Sequence, residues 1–194
     1  SKHQLGDHGA SALARTLPSV PSVSVLDLRE NGLSDRGAAE IVQSTADATR
    51  LLDLSNNNLG RRTTAALADL LGRGKQLVRL HLQQCSLSDA CVSTVVAAAA
   101  TSSSLQLLDL SHNRLGPTAA RALSSALQTG SRLLKLNLAW CGLRRTASDG
   151  VLKGVAASQL EVLDVSFNSL SHSVEALSSA IRGCRTLRHL DCTS

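Results

Sequence analysis

One eleven-residue pattern constrains this chain more than any other feature: leucine or a substitute at positions 1, 4, 6 and 11, with asparagine or cysteine at position 9. It starts at Val23, Thr49, Leu77, Leu105, Leu133, Leu160 and Leu187, at intervals of 26, 28, 28, 28, 27 and 27 residues. The fourth and sixth positions read Leu26/Leu28, Leu52/Leu54, Leu80/Leu82, Leu108/Leu110, Leu136/Leu138, Leu163/Val165 and Leu190/Cys192. The ninth reads Asn31, Asn57, Cys85, Asn113, Cys141 and Asn168, and the eleventh Leu33, Leu59, Leu87, Leu115, Leu143 and Leu170. A fixed period of this length describes stacked units, because one such unit cannot bury its apolar face alone.

Within a unit, leucines two apart point to the same side of a short strand, so that side faces inward and the other is left open. After the eleventh-position leucine the apolar residues recur at helical spacing: Leu67, Leu70 and Leu71; Val92, Val95, Val96 and Ala99; Ala119, Leu123 and Leu127. Ser34, Ser88 and Ser171 stand where N-caps are expected, and Pro117 suits a first helical turn. Every strand is thus followed by a crossover helix, which requires neighbouring strands to pair in parallel. Apolar residues make up 43% of the chain, yet there is one Trp, one Phe, no Tyr and no Met, so the layers must be aliphatic. The fold class that follows is α/β, a curved solenoid with parallel strands on the concave face and helices on the convex face.

The L-x-x-L-x-L-x-x-N/C-x-L pattern resembles the leucine-rich repeat family, in its ribonuclease-inhibitor-like subtype with 27–28-residue repeats. The organisation expected is a single repeat domain over 1–194, with a partial repeat at 1–22, repeats at 23–48, 49–76, 77–104, 105–132, 133–159 and 160–186, and a partial repeat at 187–194. Residues 1–22 match the back half of a unit, with Leu5 as its eleventh-position leucine and Ser1–Gln4 as the end of its strand and turn. Neither end carries a polar cap, so the chain reads as a piece of a longer repeat protein.

No apolar run approaches the ~20 residues that span a bilayer, and residues 1–20 lack the apolar centre of a secretory signal. The five cysteines are odd in number and form no CxxC pair, favouring reduced thiols in a cytoplasmic setting, with the nucleus also open. Cys85 and Cys141 are expected as turn and core residues two repeats apart, beyond disulfide reach; Cys192 is expected in the core. The net charge of +5 is dispersed and lacks aromatic interleaving, so neither nucleic acid nor a membrane is the expected partner. No motif implies a cofactor, a metal or a small-molecule substrate.

Functional residues are sought on the open side of the strands and at their ends. The fifth position reads Asp27, Asp53, His81, Asp109, Asn137, Asp164 and Asp191; the third reads Val25, Leu51, Arg79, Leu107, Lys135, Val162 and His189. Arg79 is expected within reach of Asp53 and Asp109, and Lys135 within reach of Asp109 and Asp164, either as internal charge compensation or as a patterned surface for a partner. The eighth position reads Glu30, Asn56, Gln84, His112, Trp140 and Phe167, which collects both aromatic residues and an imidazole on one row. Trp140, Phe167, His112, Arg79, Lys135, Asp109 and Asp164 are therefore the candidate partner-binding residues, with the alternative that Trp140 and Phe167 pack on each other and on a flanking domain of the same chain. Asp109, Ser111 and His112 lie close in sequence but do not make a catalytic triad, because strand alternation puts Asp109 and Ser111 on one side and no oxyanion donors can be named.

The reading is a non-catalytic protein-protein interaction or scaffolding module. It would be part of a larger protein in an intracellular assembly, cytoskeletal or ciliary by preference, with a protein partner on the concave face or the strand-end edge. The resemblance also implies two alternatives: a GTPase-activating protein of the Ran-cycle type, using the loop arginines Arg61/Arg62 or Arg144/Arg145, and the ligand-sensing repeats of an innate immune receptor.

Overall fold

The computed structural model describes residues 4–73 and 76–193. Helix α1 (Gly6–Thr16) and a 3-10 turn at Leu17–Ser19 come first. Seven three-residue strands follow: β1 (Val25–Asp27), β2 (Leu51–Asp53), β3 (Arg79–His81), β4 (Leu107–Asp109), β5 (Lys135–Asn137), β6 (Val162–Asp164) and β7 (His189–Asp191). Between them run α2 (Asp35–Gln43), α3 (Arg61–Arg73), α4 (Asp89–Thr101), α5 (Pro117–Gln128), α6 (Arg145–Ala156) and α7 (Val174–Gly183).

The strands form one parallel sheet in chain order. Val25 aligns with Leu51, Leu51 with Arg79, Arg79 with Leu107, Leu107 with Lys135, Lys135 with Val162, and Val162 with His189, so equivalent positions of successive units always meet. The product is a curved α/β solenoid. Fourth- and sixth-position leucines meet the helical stripes in one continuous aliphatic core, with Leu52, Leu80, Leu108, Val95, Leu123 and Val155 wholly buried. Removing one such leucine side chain costs about 2–5 kcal/mol in a close-packed interior. Adjacent helices approach closely where side chains are absent: a Cβ on Gly154 would lie 2.8 Å from the Ser124 Cα, and one on Gly183 2.7 Å from the Ala156 carbonyl oxygen.

Ser34 caps α2 by accepting from the Arg36 and Gly37 N–H groups, Ser88 caps α4 through the Cys91 N–H, and Pro117 opens α5. Ser171 is not a cap. The chain makes an extra turn before α7, so the N-cap position falls to Ser173, whose side chain makes no capping bond. Of the expected strand end and turn at Ser1–Gln4, Ser1–His3 lie outside the described residues, and Gln4 belongs to no helix or strand.

The ninth position ties each turn to the one before it. The Asn113 Nδ2 donates to the Leu82 carbonyl at 2.7 Å and to Leu110 at 3.0 Å, while its Oδ1 accepts from the Cys85 N–H at 3.1 Å and the Leu87 N–H at 3.0 Å. Asn57 and Asn168 repeat this, with Leu33 and Leu143 as the N–H donors to Oδ1. Where cysteine replaces asparagine its thiol keeps one donor bond, from Cys85 to the Leu54 carbonyl and from Cys141 to Leu110. The acceptor that asparagine would supply is replaced by the cysteine's own carbonyl, which receives the Leu59 or Leu115 N–H. Burial pushes both thiols up to about 12, so they stay protonated donors. All five cysteines are free. Cys192 is exposed rather than in the core, because β7 pairs on one side only, with β6.

Candidate partner-binding site

The strand exits are built by the fifth-position acids. Oδ1 of Asp27, Asp53, Asp109, Asp164 and Asp191 accepts the N–H two residues on, as Asn137 Oδ1 does, which turns the chain out of the sheet. The eighth residue then takes left-handed backbone at every exit, with φ of 56° at Glu30, 59° at Asn56, 51° at Gln84, 56° at His112, 56° at Trp140 and 54° at Phe167. Its N–H still donates to the seventh-position carbonyl of the next unit, from Trp140 to Ser166 and from Phe167 to Thr193. For residues other than Gly, Asn or Asp this conformation costs about 1 kcal/mol or more.

The eighth-position side chains line the sheet's C-terminal edge. His112 stacks on Trp140 with ring centroids 5.8 Å apart, and Trp140 on Phe167 at 4.5 Å, both at an interplanar angle of 15°. The parallel register repeats about every 4.8 Å, which sets equivalent rings at stacking distance. Trp140 is 53% exposed and Phe167 44%, so the stack covers ring faces and leaves edges to solvent.

On the concave face, the cations and acids pair differently from the sequence expectation. Among the described residues, Arg79 and Lys135 make no ion pair with Asp53, Asp109 or Asp164. The register sets Arg79 beside Leu51 and Leu107, and Lys135 beside Leu107 and Val162, while the acids are engaged with their own turns. Compensation comes instead from Arg29, 2.7 Å from Asp27 and 3.4 Å from Asp53, and from His81, whose Nδ1 lies 3.9 Å from Asp109 Oδ2. Asp109 raises the His81 pKa more than burial lowers it. Burial pushes the Asp109 carboxyl up, but His81 and the Ser111 hydroxyl and N–H together hold it below the usual range. Sequence reasoning missed Arg29; its place two residues after Asp27, beside the turn bond, was the available signal.

Arg79 and Lys135 thus stand free over a depression of about 400 Å³ that also touches His81 and Gln106. A neighbouring depression of about 230 Å³ brings together His81, Asp109, Lys135, Asp164 and His189. The Ser111 Oγ donates to Asp109 Oδ1, whereas the His112 ring lies against Trp140. Arg61 and Arg62 open α3, and Arg144 and Arg145 flank the start of α6, three units along the solenoid. Among the described residues no group of three His, Cys, Asp or Glu could hold a metal, and no helix is long and apolar enough to cross a membrane.

A parallel strand and a helix in each 26–28-residue unit, with an asparagine or cysteine ladder at the turns, define a repeat solenoid of the leucine-rich repeat type, similar to its ribonuclease-inhibitor-like form. A family profile described as "Leucine Rich repeat" matches residues 21–42 and 101–124. The chain is 33% identical over 207 residues to the Tonsoku-like protein of Bos taurus, a match covering 99% of this chain and 15% of that protein. It is 31% identical over 170 residues to the ribonuclease inhibitor of Sus scrofa, covering 84% of this chain and 37% of that protein. The tropomodulin C-terminal domain of Caenorhabditis elegans shares the fold with a TM-score of 0.64 at 11% identity, over 76% of this chain and 92% of that one. The chain therefore spans about 15% of the length of the Tonsoku-like relatives it matches.

Proposed function

We propose that this chain is a non-catalytic protein-interaction module that docks a partner across the strand-end edge and the adjoining concave face. The exposed stack of His112, Trp140 and Phe167 carries the reading. Rigid aromatic edges held in place by the backbone supply large contact area at little entropic cost, the property of interface anchors. Arg79 and Lys135, with Asp109 and Asp164 beside them, supply a charge pattern that favours specificity and association rate. Interaction within a larger protein accords with the far greater length of the Tonsoku-like relatives.

Capture of partners from lysate by the chain, compared with Trp140→Ala/Phe167→Ala and with Arg79→Glu/Lys135→Glu, tests the reading. The aromatic variant should lose a specific partner while keeping a cooperative melting transition, and the charge variant should slow its association. Undiminished capture by the aromatic variant would overturn the edge as the docking site. An intracellular assembly, cytoskeletal or ciliary by preference, is the setting we propose; a tagged chain distributed evenly through the cell would argue against it.

A further inference from the structure

The third-position row of the concave face alternates in chemistry from unit to unit. Strand register sets Leu51, Arg79, Leu107, Lys135, Val162 and His189 side by side in that order. Aliphatic and nitrogen-bearing side chains thus follow one another from β2 to β7. The three aliphatic residues are half-buried and the other three exposed, so each Leu or Val lies low beside side chains that reach further out. Parallel strands lie about 4.8 Å apart, so like side chains recur along this row about every 9.6 Å. Two depressions lie along it, of about 400 Å³ and 230 Å³, and they share His81, Leu107 and Lys135, forming one continuous trough.

The charge in this trough is open to a partner. Arg79 and Lys135 form no ion pair among the described residues, because the register gives each an aliphatic neighbour on both sides. On the adjoining fifth-position row, Asp164 Oδ1 accepts from the Ser166 N–H and hydroxyl, which leaves Oδ2 facing outward from the turn bonds.

A complementary partner must offer carboxylates about 9.6 Å apart with an apolar side chain midway between them. An extended strand repeats each face every ~6.6–6.8 Å and falls out of step within two units. A polyproline helix repeats every ~9.3 Å, but its intervening residues point away, so it supplies the acids without the apolar series. An α-helix supplies both. Residues seven apart share a face ~10.5 Å along its axis, and those three or four after each acid fall midway. A tilt of about 24° to the row shortens that step to about 9.6 Å.

We propose that the concave trough binds an amphipathic α-helix of a partner protein, with acidic residues at every seventh position set against Arg79, Lys135 and His189 and aliphatic residues between them set against Leu107 and Val162. This rests on the reading of the concave face as part of the docking surface, and it names the chemistry that face takes. Arg79 and Lys135 fix the register, since sliding the helix by one unit would set its carboxylates on Leu107 and Val162.

The test is a titration of a fluorescein-labelled helical peptide of ~21 residues, three heptads, with Glu at every seventh position and Leu three and four positions after each. Saturable binding, read by anisotropy, is expected. Arg79→Glu/Lys135→Glu should weaken it about tenfold or more, and a peptide with Lys in place of those Glu residues should bind this variant better than the unaltered chain. Arg121→Glu/Arg182→Glu, at exposed positions of α5 and α7, changes the net charge equally and should leave binding unchanged. A peptide of the same composition with Glu at every sixth position should bind about tenfold more weakly. The inference is overturned by no saturable binding, by equal binding of the six-residue spacing, or by binding that survives a central proline in the peptide, which would assign an extended ligand. The wider reading fails on a different result, undiminished capture of partners from lysate by the aromatic and charge variants alike.

Discussion

Two adjacent positions at each strand exit behave oppositely. From Asn57 to Asn168 the ninth faces inward, is buried, and has nearly every polar atom bonded to the neighbouring turns; the eighth faces outward and in one stretch carries stacked, exposed rings. The inner row holds successive units in register, because Asn57, Asn113 and Asn168 each bond carbonyls of two turns and the Cys85 and Cys141 thiols each reach back to a carbonyl of the preceding unit. The outer row borrows that register to bring rings together. The same 4.8 Å spacing thus serves cohesion on one side and display on the other.

The comparison fails first if the inner row is dispensable. Asn113→Ala removes two donor and two acceptor bonds in a buried turn and should cost about 3–5 kcal/mol, read as a drop in the urea midpoint. A loss under about 1 kcal/mol would show that the ladder does not bind the turns together.

Asn113→Cys sharpens the point, since the thiol can keep the bond to Leu82 in the way Cys85 keeps the one to Leu54. The expected cost is about 1–2 kcal/mol, between the alanine variant and the unaltered chain. Trp140→Ala, on the outer row, should change stability by no more than about 1 kcal/mol while removing partner capture. Global unfolding of this variant would move Trp140 to the inner class.

The smallest effect concerns the concave face between the two rows. The His81 pKa is raised in the folded state by Asp109, so its contribution is present in full below the unfolded value of about 6.5 and is lost as pH rises through the folded value. The stability difference between the chain and its His81→Asn variant should shrink over that window by a fraction of 1 kcal/mol. A difference that stays flat from pH 6 to 8 would place the imidazole outside the influence of Asp109.

Leucine spacing made the strands, the helices and the parallel stack readable in advance, because alternation of two and a constant period leave one way to bury those side chains. Position nine was readable for the same reason: Asn and Cys share small size and the ability to donate. The left-handed exits were not, since Glu30, Gln84, Trp140 and Phe167 are residue types that do not announce positive φ. Pairing of Arg79 with Asp53 and Asp109 was expected because like rows were treated as bare charges. The acids are in fact bonded to the turns they make, and the nearby cation at Asp53 is Arg29. The rows Ser34, Ser88 and Ser171 look alike in sequence, but the turn preceding α7 shifts its cap to Ser173, and nothing in periodicity encodes that shift.

The positive-φ row also bears on how such a surface could be rewritten. Every exit from Glu30 to Phe167 has the same backbone, although the side chains differ in charge, size and aromaticity. The turn therefore imposes one dihedral angle on this position whatever side chain it carries. Asn56 already shows the least strained occupant, whereas Trp140 and Phe167 hold a conformation that aromatic residues resist. Substituting this row should alter what the molecule recognises one residue at a time, leaving the solenoid beneath it the same shape.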